Sequence, residues 1–362
     1  MNIQVVNRFN SSNVFAYITG QALDNGNKVC LIKSDGKTPY FPGAPSKVGT
    51  ALAEDVGIKL GAAGSTTNIT IPHLAGGRLW FSIDQPLTFL VNPGGAGAAL
   101  VEPSISNPSD PNININWGFC EFTFSNGVIY ANISYVDFVS IPIAITLVQP
   151  DGNEQKVAGL MPDGLSVVSN GLESQGGDWA KLVYKAEGKI LRALSPNNGI
   201  VMNGGNLFQG YYDPYVNQVW DKYSNADLTI DSQAQWGVLK GRVKNDVLEF
   251  PGASFTRPTT GDIFSNSSGP FQDNAAAKGP LTARLCAGFN RSTLLINDVH
   301  PTQERLDTFY KDNVTNHYSR LVHEANIDGR GYAFPYDDVP AGSEDQSGFV
   351  NGPPQSFVVS VG

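Results

Sequence analysis

Short runs of alternating apolar and polar residues, punctuated by Gly, Pro and Asn, fill the first 150 positions. Ile3-Gln-Val-Val, Val14-Phe-Ala-Tyr-Ile-Thr-Gly and Lys28-Val-Cys-Leu-Ile predict strands, the last two joined through an Asp24-Asn-Gly turn. Thr67-Asn-Ile-Thr-Ile, Arg78-Leu-Trp-Phe-Ser-Ile and Leu87-Thr-Phe-Leu-Val continue the series, which Asn92-Pro-Gly-Gly closes. Many short strands with regular turns predict a β sandwich or barrel. From about position 155 the period lengthens. Residues 165–194 have helical spacing with a break at Gly176-Gly177, and Asp213 with Pro214 reads as a helix start. Thr282-Ala-Arg-Leu-Cys-Ala-Gly-Phe predicts a short helix. The clearest helix spans 301–325, where Leu306, Phe309, Tyr310, Val314, Tyr318, Leu321 and Val322 form an apolar stripe. Strands at Leu228-Thr-Ile, Trp236-Gly-Val-Leu-Lys-Gly-Arg-Val and Val247-Leu-Glu-Phe interrupt this half. The tail, Phe357-Val-Val-Ser-Val, is a strand expected to rejoin the first sheet. The fold expected is mainly β with an α/β part. A β domain is formed by residues 1–155 and 330–362, a mixed α/β domain by 156–329, and a ligand cleft lies between them.

Composition narrows the partner. Charged residues are 16% of the chain, below the usual quarter, and the net charge is −9 with a pI of about 4.9. No Lys/Arg block offers a nucleic-acid footprint, and an acidic surface is repelled by anionic membranes and polysaccharides. A neutral polymer fits better. No apolar run approaches the roughly 20 residues of a membrane span. Three cysteines, Cys30, Cys120 and Cys286, allow at most one disulfide. The four histidines lack metal spacing, no phosphate loop or dinucleotide fingerprint fits the glycine clusters, and Gly-x-Ser-x-Gly is absent. Met1-Asn-Ile-Gln-Val-Val reads as strand-like from its start, so no signal peptide is expected within this sequence. Asn10, Asn68, Asn132, Asn266, Asn290 and Asn313 each begin an N-x-S/T sequon, which suits secretion.

One stretch concentrates candidate chemistry. From Trp117 to Ile143 the only acids are Glu121 and Asp137, and no Lys, Arg or His accompanies them. Without a counter-ion in the stretch, desolvation is expected to raise the pKa of one carboxyl while the other stays ionised, as acid/base cleavage of a glycosidic bond requires. Strand alternation puts Phe119, Glu121 and Thr123 on one face and Cys120, Phe122 and Phe124 on the other. The Phe/Cys face reads as core, so Glu121 and Thr123 look into a groove. A bulged loop at Ser125-Asn126-Gly127 would set Glu121 opposite Ala131. Asp137 would then lie roughly 20 Å along the strand at about 3.3 Å per residue. An acid/base pair needs about 5–9.5 Å, so the chain must bend between Ala131 and Asp137, or pair otherwise.

Glu121-Phe-Thr followed by Ser134-Tyr-Val-Asp-Phe-Val-Ser-Ile-Pro-Ile resembles the active-site region of glycoside hydrolase family 64, the β-1,3-glucanases of bacteria and fungi. Val14-Phe-Ala-Tyr-Ile-Thr-Gly, Gly76-Gly-Arg-Leu-Trp-Phe-Ser and Tyr332-Ala-Phe-Pro-Tyr-Asp-Asp-Val resemble further family words in the same order. The resemblance implies a thaumatin-like β barrel or sandwich joined to a mixed α/β lobe across a wide groove. It also implies inverting hydrolysis, with Glu121 as general acid, Asp137 as general base and Thr123 touching a sugar. Some members release laminaripentaose.

Aromatic rings stack on sugar faces, which makes Tyr130 and Tyr135 candidates. Arg78 is a candidate for sugar hydroxyls, whereas Trp80 reads as core. Asp337 and Asp338 either bind a hydroxyl or cap their turn. The expectation is a monomeric, extracellular hydrolase of β-1,3-glucan with no cofactor, metal, nucleic-acid or membrane partner. The alternative is a non-catalytic glucan-binding protein on the same scaffold. A thaumatin-like defence protein would carry more cysteines.

Overall fold

The structure is a computed structural model describing residues 1–95, 97–342 and 344–362. Two sheets organise it. The smaller runs in the order Glu154–Val157, Ile143–Val148, Ser356–Val361, Asn2–Asn7 and Thr66–Thr70. The C-terminal strand lies parallel to Asn2–Asn7, with Gln4 beside Val358, and antiparallel to Ile143–Val148. The tail, expected to rejoin the first sheet, thus pairs with the first strand itself.

The larger sheet has eight strands. Its order is Phe349–Gly352, Val128–Asn132, Asn116–Ser125, Leu74–Ile83, Val14–Ala22, Lys28–Ile32 and Pro39–Tyr40, with Ile58–Lys59 also paired to Val14–Ala22. The inward residues of both sheets, among them Ile3, Val5, Ile145 and Val359 with Ile18, Leu79, Cys120 and Phe122, belong to one apolar core. The fold is mainly β with some helix, and among the described residues the sheets do not close into a barrel.

The second half differs from its sequence reading in four places. Residues 183–194 are a hairpin of Val183–Ala186 and Lys189–Leu194, not helix. Glu187 and Gly188 both take positive φ, 50° and 77°, the backbone of a tight hairpin turn. The helix expected over 301–325 is only His317–Ala325. Asn316 caps it by accepting the Ser319 N–H at 3.1 Å, and Tyr310 at φ 57° breaks the run before it. The helix near position 213 runs Asp213–Asn225 with Tyr212 at its cap, so Asp213 lies inside rather than capping it. The short helix extends over Lys278–Arg291.

The sheet tolerates no side chain at Gly77. Phe122 lies directly opposite, and a Cβ on Gly77 would stand 2.6 Å from its ring. Phe122 is 3% exposed and locked in the core, so the ring cannot swing away. Gly77→Ala is expected to destabilise the protein by about 1–3 kcal/mol, the usual cost of overpacking, read as a lowered thermal midpoint.

Candidate active site

Antiparallel pairing places opposed residues on the same face of a sheet. One rung crosses five strands of the larger sheet: Thr19 opposite Arg78, Arg78 opposite Glu121, Glu121 opposite Asn132, and Asn132 opposite Phe349. The next rung in one direction is Thr123, Tyr130 and Asn351; in the other it is Phe119, Trp80 and Tyr17. Alternation thus separates two surfaces. Cys120, Phe122 and Phe124 are buried behind, while Glu121 and Thr123 remain half-buried in front. Burial also raises the Cys120 thiol to about 12, with Glu121 adding to the effect, which leaves the thiol unreactive.

The hairpin after Glu121 is tighter than the bulged loop expected from sequence. Ser125 pairs with Val128, leaving only Asn126 and Gly127 in the loop, both at positive φ (52° and 74°). This two-residue turn puts Glu121 opposite Asn132 rather than Ala131.

Glu121 does have a counter-ion, contrary to the reading of its own stretch. The Nε and Nη2 of Arg78 both approach Glu121 Oε1 at 3.3 Å. The third guanidinium nitrogen, Nη1, donates to Glu102 Oε2 in a short hydrogen bond. Thr19 donates to the other Glu102 oxygen at 2.9 Å, and the Trp80 indole N–H donates to the Thr19 hydroxyl at 3.0 Å. The Arg78 guanidinium lies over the rings of Phe119 and Trp80, at 4.9 and 5.4 Å. The partner was invisible in the stretch because it arrives from the neighbouring strand, 43 positions earlier. Glu102 was missed for the same reason: it is a lone acid in a loop and only the fold brings it to Arg78.

Arg78, Glu102, Glu121, Thr123, Tyr130 and Asn132 line an open cavity of about 400 Å³. Gly76 and Glu102 also line a neighbouring cavity of about 730 Å³, whose walls include several glycines, Phe41 and Lys28, so the two meet there. Tyr130 is 41% exposed and stacks on Phe349 at 5.3 Å, a flat apolar surface beside Glu121. Its hydroxyl pKa is raised, first by partial desolvation and then, among charges, by Asp338, Asp345 and Glu121.

The chain turns away at Asn132, where its strand ends. Ser134 bridges to Tyr332, and Phe138-Val139 then pairs with Lys189–Leu194 in a different sheet. This bend brings Phe138, next to Asp137, back onto the Glu121 face. The Phe138 ring packs on Phe119 at 5.9 Å, and Phe119 sits two positions before Glu121 on the same face. Asp137 is half-buried, and its Oδ1 accepts from Asn198 at 3.0 Å. It does not line the Glu121 cavity.

Two expected sugar contacts are removed by burial. Tyr135 is 4% exposed, with its hydroxyl on Asn326 Oδ1 at 3.2 Å. Asp337 is fully buried, with Arg291 at 3.0 Å and His323 at 3.1 Å. Trp80 is core, as expected. Asp338 is exposed, and its carboxyl pKa is raised, first by partial desolvation and then by Asp345 and Asp337.

Comparison with known proteins decides the family. The profile of glycoside hydrolase family 64, described as β-1,3-glucanase, matches residues 1–361. The chain belongs to this family. The glucan endo-1,3-beta-glucosidase of Arthrobacter sp. (strain YCWD3) is 33% identical over 285 residues, and that of Cellulosimicrobium cellulans is 32% identical. Each alignment covers 76% of this chain and 50% of the relative, so the chain spans about half the length of these curated proteins. The structure of a laminaripentaose-producing β-1,3-glucanase in complex with laminaritetraose superposes with a TM-score of 0.88 at 30% identity, covering 99% of this chain and 98% of that one. A family 64 domain from Clostridium beijerinckii shares the fold at 21% identity, with a TM-score of 0.76 over 100% of this chain and 98% of that one.

In this family 64 chain the late word at Tyr332–Val339 is pinned from below by charge. Arg291, fully buried, donates to the Val339 and Asp337 carbonyls at 2.8 and 3.0 Å as well as to the Asp337 carboxylate. Burial alone would raise the Asp337 pKa, but the charges of His323 and Arg291 and their hydrogen bonds hold it below the ordinary carboxylate value. Asp337→Asn leaves Arg291 with one carboxylate fewer in a dry setting. A loss of about 3–5 kcal/mol in denaturant unfolding is expected, with KM for glucan unchanged in the folded protein.

Proposed function

We propose that this chain hydrolyses β-1,3-glucan with inversion, releasing short laminari-oligosaccharides. Glu121 is the general acid and Asp137 the general base. The observation that carries this reading is Glu121 itself, a half-buried carboxyl in an open cavity within a family described as β-1,3-glucanase. Arg78 occupies Oε1 with two N–H groups, which leaves Oε2 to carry a proton to the leaving glycosidic oxygen. Asn198 holds Oδ1 of Asp137, and Oδ2 has no hydrogen bond among the described residues, so that oxygen takes the proton of an attacking water. Thr123 and Tyr130 receive sugars beside Glu121, Tyr130 through its exposed ring face. Asp338, raised in pKa and near Tyr130, hydrogen-bonds a sugar hydroxyl at the same rim.

The scaffold is read as a thaumatin-like β sandwich, residues 1–155 with 330–362, facing a mixed α/β lobe of 156–329. The protein acts outside the cell as a monomer on a neutral polymer. None of the described helices is long and apolar enough to cross a membrane.

Glu121→Gln and Asp137→Asn are each expected to cut kcat on laminarin by about 10²–10⁴-fold, measured as reducing ends released. Near-native turnover in either variant refutes its assigned role. Time-resolved NMR of the first products is expected to show the α-anomer. A β-anomer appearing first would mean retention and a different second carboxylate.

A further inference from the structure

We infer that Glu102 is a positioning residue for the general acid: it shares Arg78 with Glu121, so the guanidinium orients the acid without neutralising it. The inference rests on the reading of Glu121 as general acid.

The geometry is asymmetric. Arg78 gives Nη1 to Glu102 in a short bond and offers Nε and Nη2 to a single Glu121 oxygen at 3.3 Å. Hydrogen-bond direction fixes the rest. The Trp80 indole N–H is a donor only, so the Thr19 oxygen accepts from it and the Thr19 proton must go to Glu102. Glu102 therefore accepts at both oxygens, the role of an ionised carboxylate. One cation with two carboxylates carries a net charge of −1 when both acids are ionised and is neutral when one proton is held. With Glu102 committed as acceptor, Glu121 Oε2 is the seat for that proton.

The other titratable groups near Glu121 do not substitute for this partnership. Tyr130 lies across the hairpin with Asp338 and Asp345 beyond it, and the Cys120 thiol is buried behind the strand. All are neutral or negative near neutral pH. Arg78 is the one cation that contacts Glu121 among the described residues, and Glu102 is the one group that contests it. Without Glu102, Arg78 would pair with Glu121 alone and favour its ionised form, which is useless for protonating a leaving group.

The test is the pH profile of kcat/KM on laminarin for wild type, Glu102→Gln, Glu102→Asp and Thr19→Val. In Glu102→Gln the alkaline limb, where the acid loses its proton, is expected to move to lower pH. Peak kcat/KM should fall by up to about 100-fold, the cost of a small misplacement of a reacting group. Glu102→Asp should restore the limb. Thr19→Val keeps both charges but removes the fixed donor and should move the limb in the same direction, so the idea remains testable if Glu102→Gln does not fold. An unmoved alkaline limb in the folded variants, whatever the loss in rate, overturns the inference, because a merely structural role lowers activity without moving it. Glu121→Gln, run in parallel, separates the two failures. If it retains activity, the assignment of the acid is wrong. If it is inactive while the Glu102→Gln limb stays in place, only the role of Glu102 falls.

Discussion

The register between Leu74–Ile83 and Asn116–Ser125 is the constraint on which the site depends. A slip of one residue would send Glu121 into the core and bring Cys120 or Phe122 to the open face. Two features hold the row of residues around Glu121, one in the neighbouring pairing and one in this register. The Asn126-Gly127 turn sets the pairing with Val128–Asn132, and the close approach of Gly77 to Phe122 admits no other residue opposite that ring. Both features lie within a few positions of Glu121, and together they align Thr19, Arg78, Glu121 and Asn132 in one row.

The chain places arginine between two carboxylates twice, with opposite consequences. Arg291 stands between Asp337 and Glu304, all nearly inaccessible to solvent, and Glu304 also receives the Thr293 hydroxyl and faces His300 at 3.0 Å. Buried charges must be fully paired, so this cluster fastens the Tyr332–Val339 loop to the helix Lys278–Arg291 and stays silent chemically. Arg78 stands between Glu102 and Glu121 with about a third of each side chain exposed. There, water and a sugar can reach one carboxylate oxygen, and the same three-group arrangement becomes a place where a proton can be held and passed on. The difference is burial rather than residue type.

Much of the first half was legible because its strands alternate cleanly. The Cys120–Phe124 face was recognisable as core, and Trp80 with it, from period and composition alone. The failures share a cause. Arg78 reaches Glu121 from the next strand and Glu102 reaches Arg78 from a loop, and sequence proximity carries no trace of such pairs. Tyr135 and Asp337 looked like ligand-binding residues because they neighbour informative words, but both side chains turn inward, onto Asn326 and onto Arg291 with His323. The stripe from Leu306 to Val322 imitated one long helix, yet its first half is an irregular segment that buries Phe309 and exposes Leu306. Apolar spacing reports what needs covering and says less about the backbone that covers it. The bend after Asn132 was demanded by the separation of the two acids, but its route, through a bridge to Tyr332 and into a third sheet, was not readable.

A crystal structure of the Glu121→Gln protein soaked with a laminari-oligosaccharide decides whether Glu121 and Asp137 flank the scissile bond. A sugar chain is expected to cross the Arg78–Tyr130 cavity, with one glycosidic oxygen within hydrogen-bond reach of side chain 121 and a water on the far side of that sugar held by Asp137. A chain bound elsewhere, or one whose linkage passes residue 121 while Asp137 stays out of reach of that sugar, overturns both assignments.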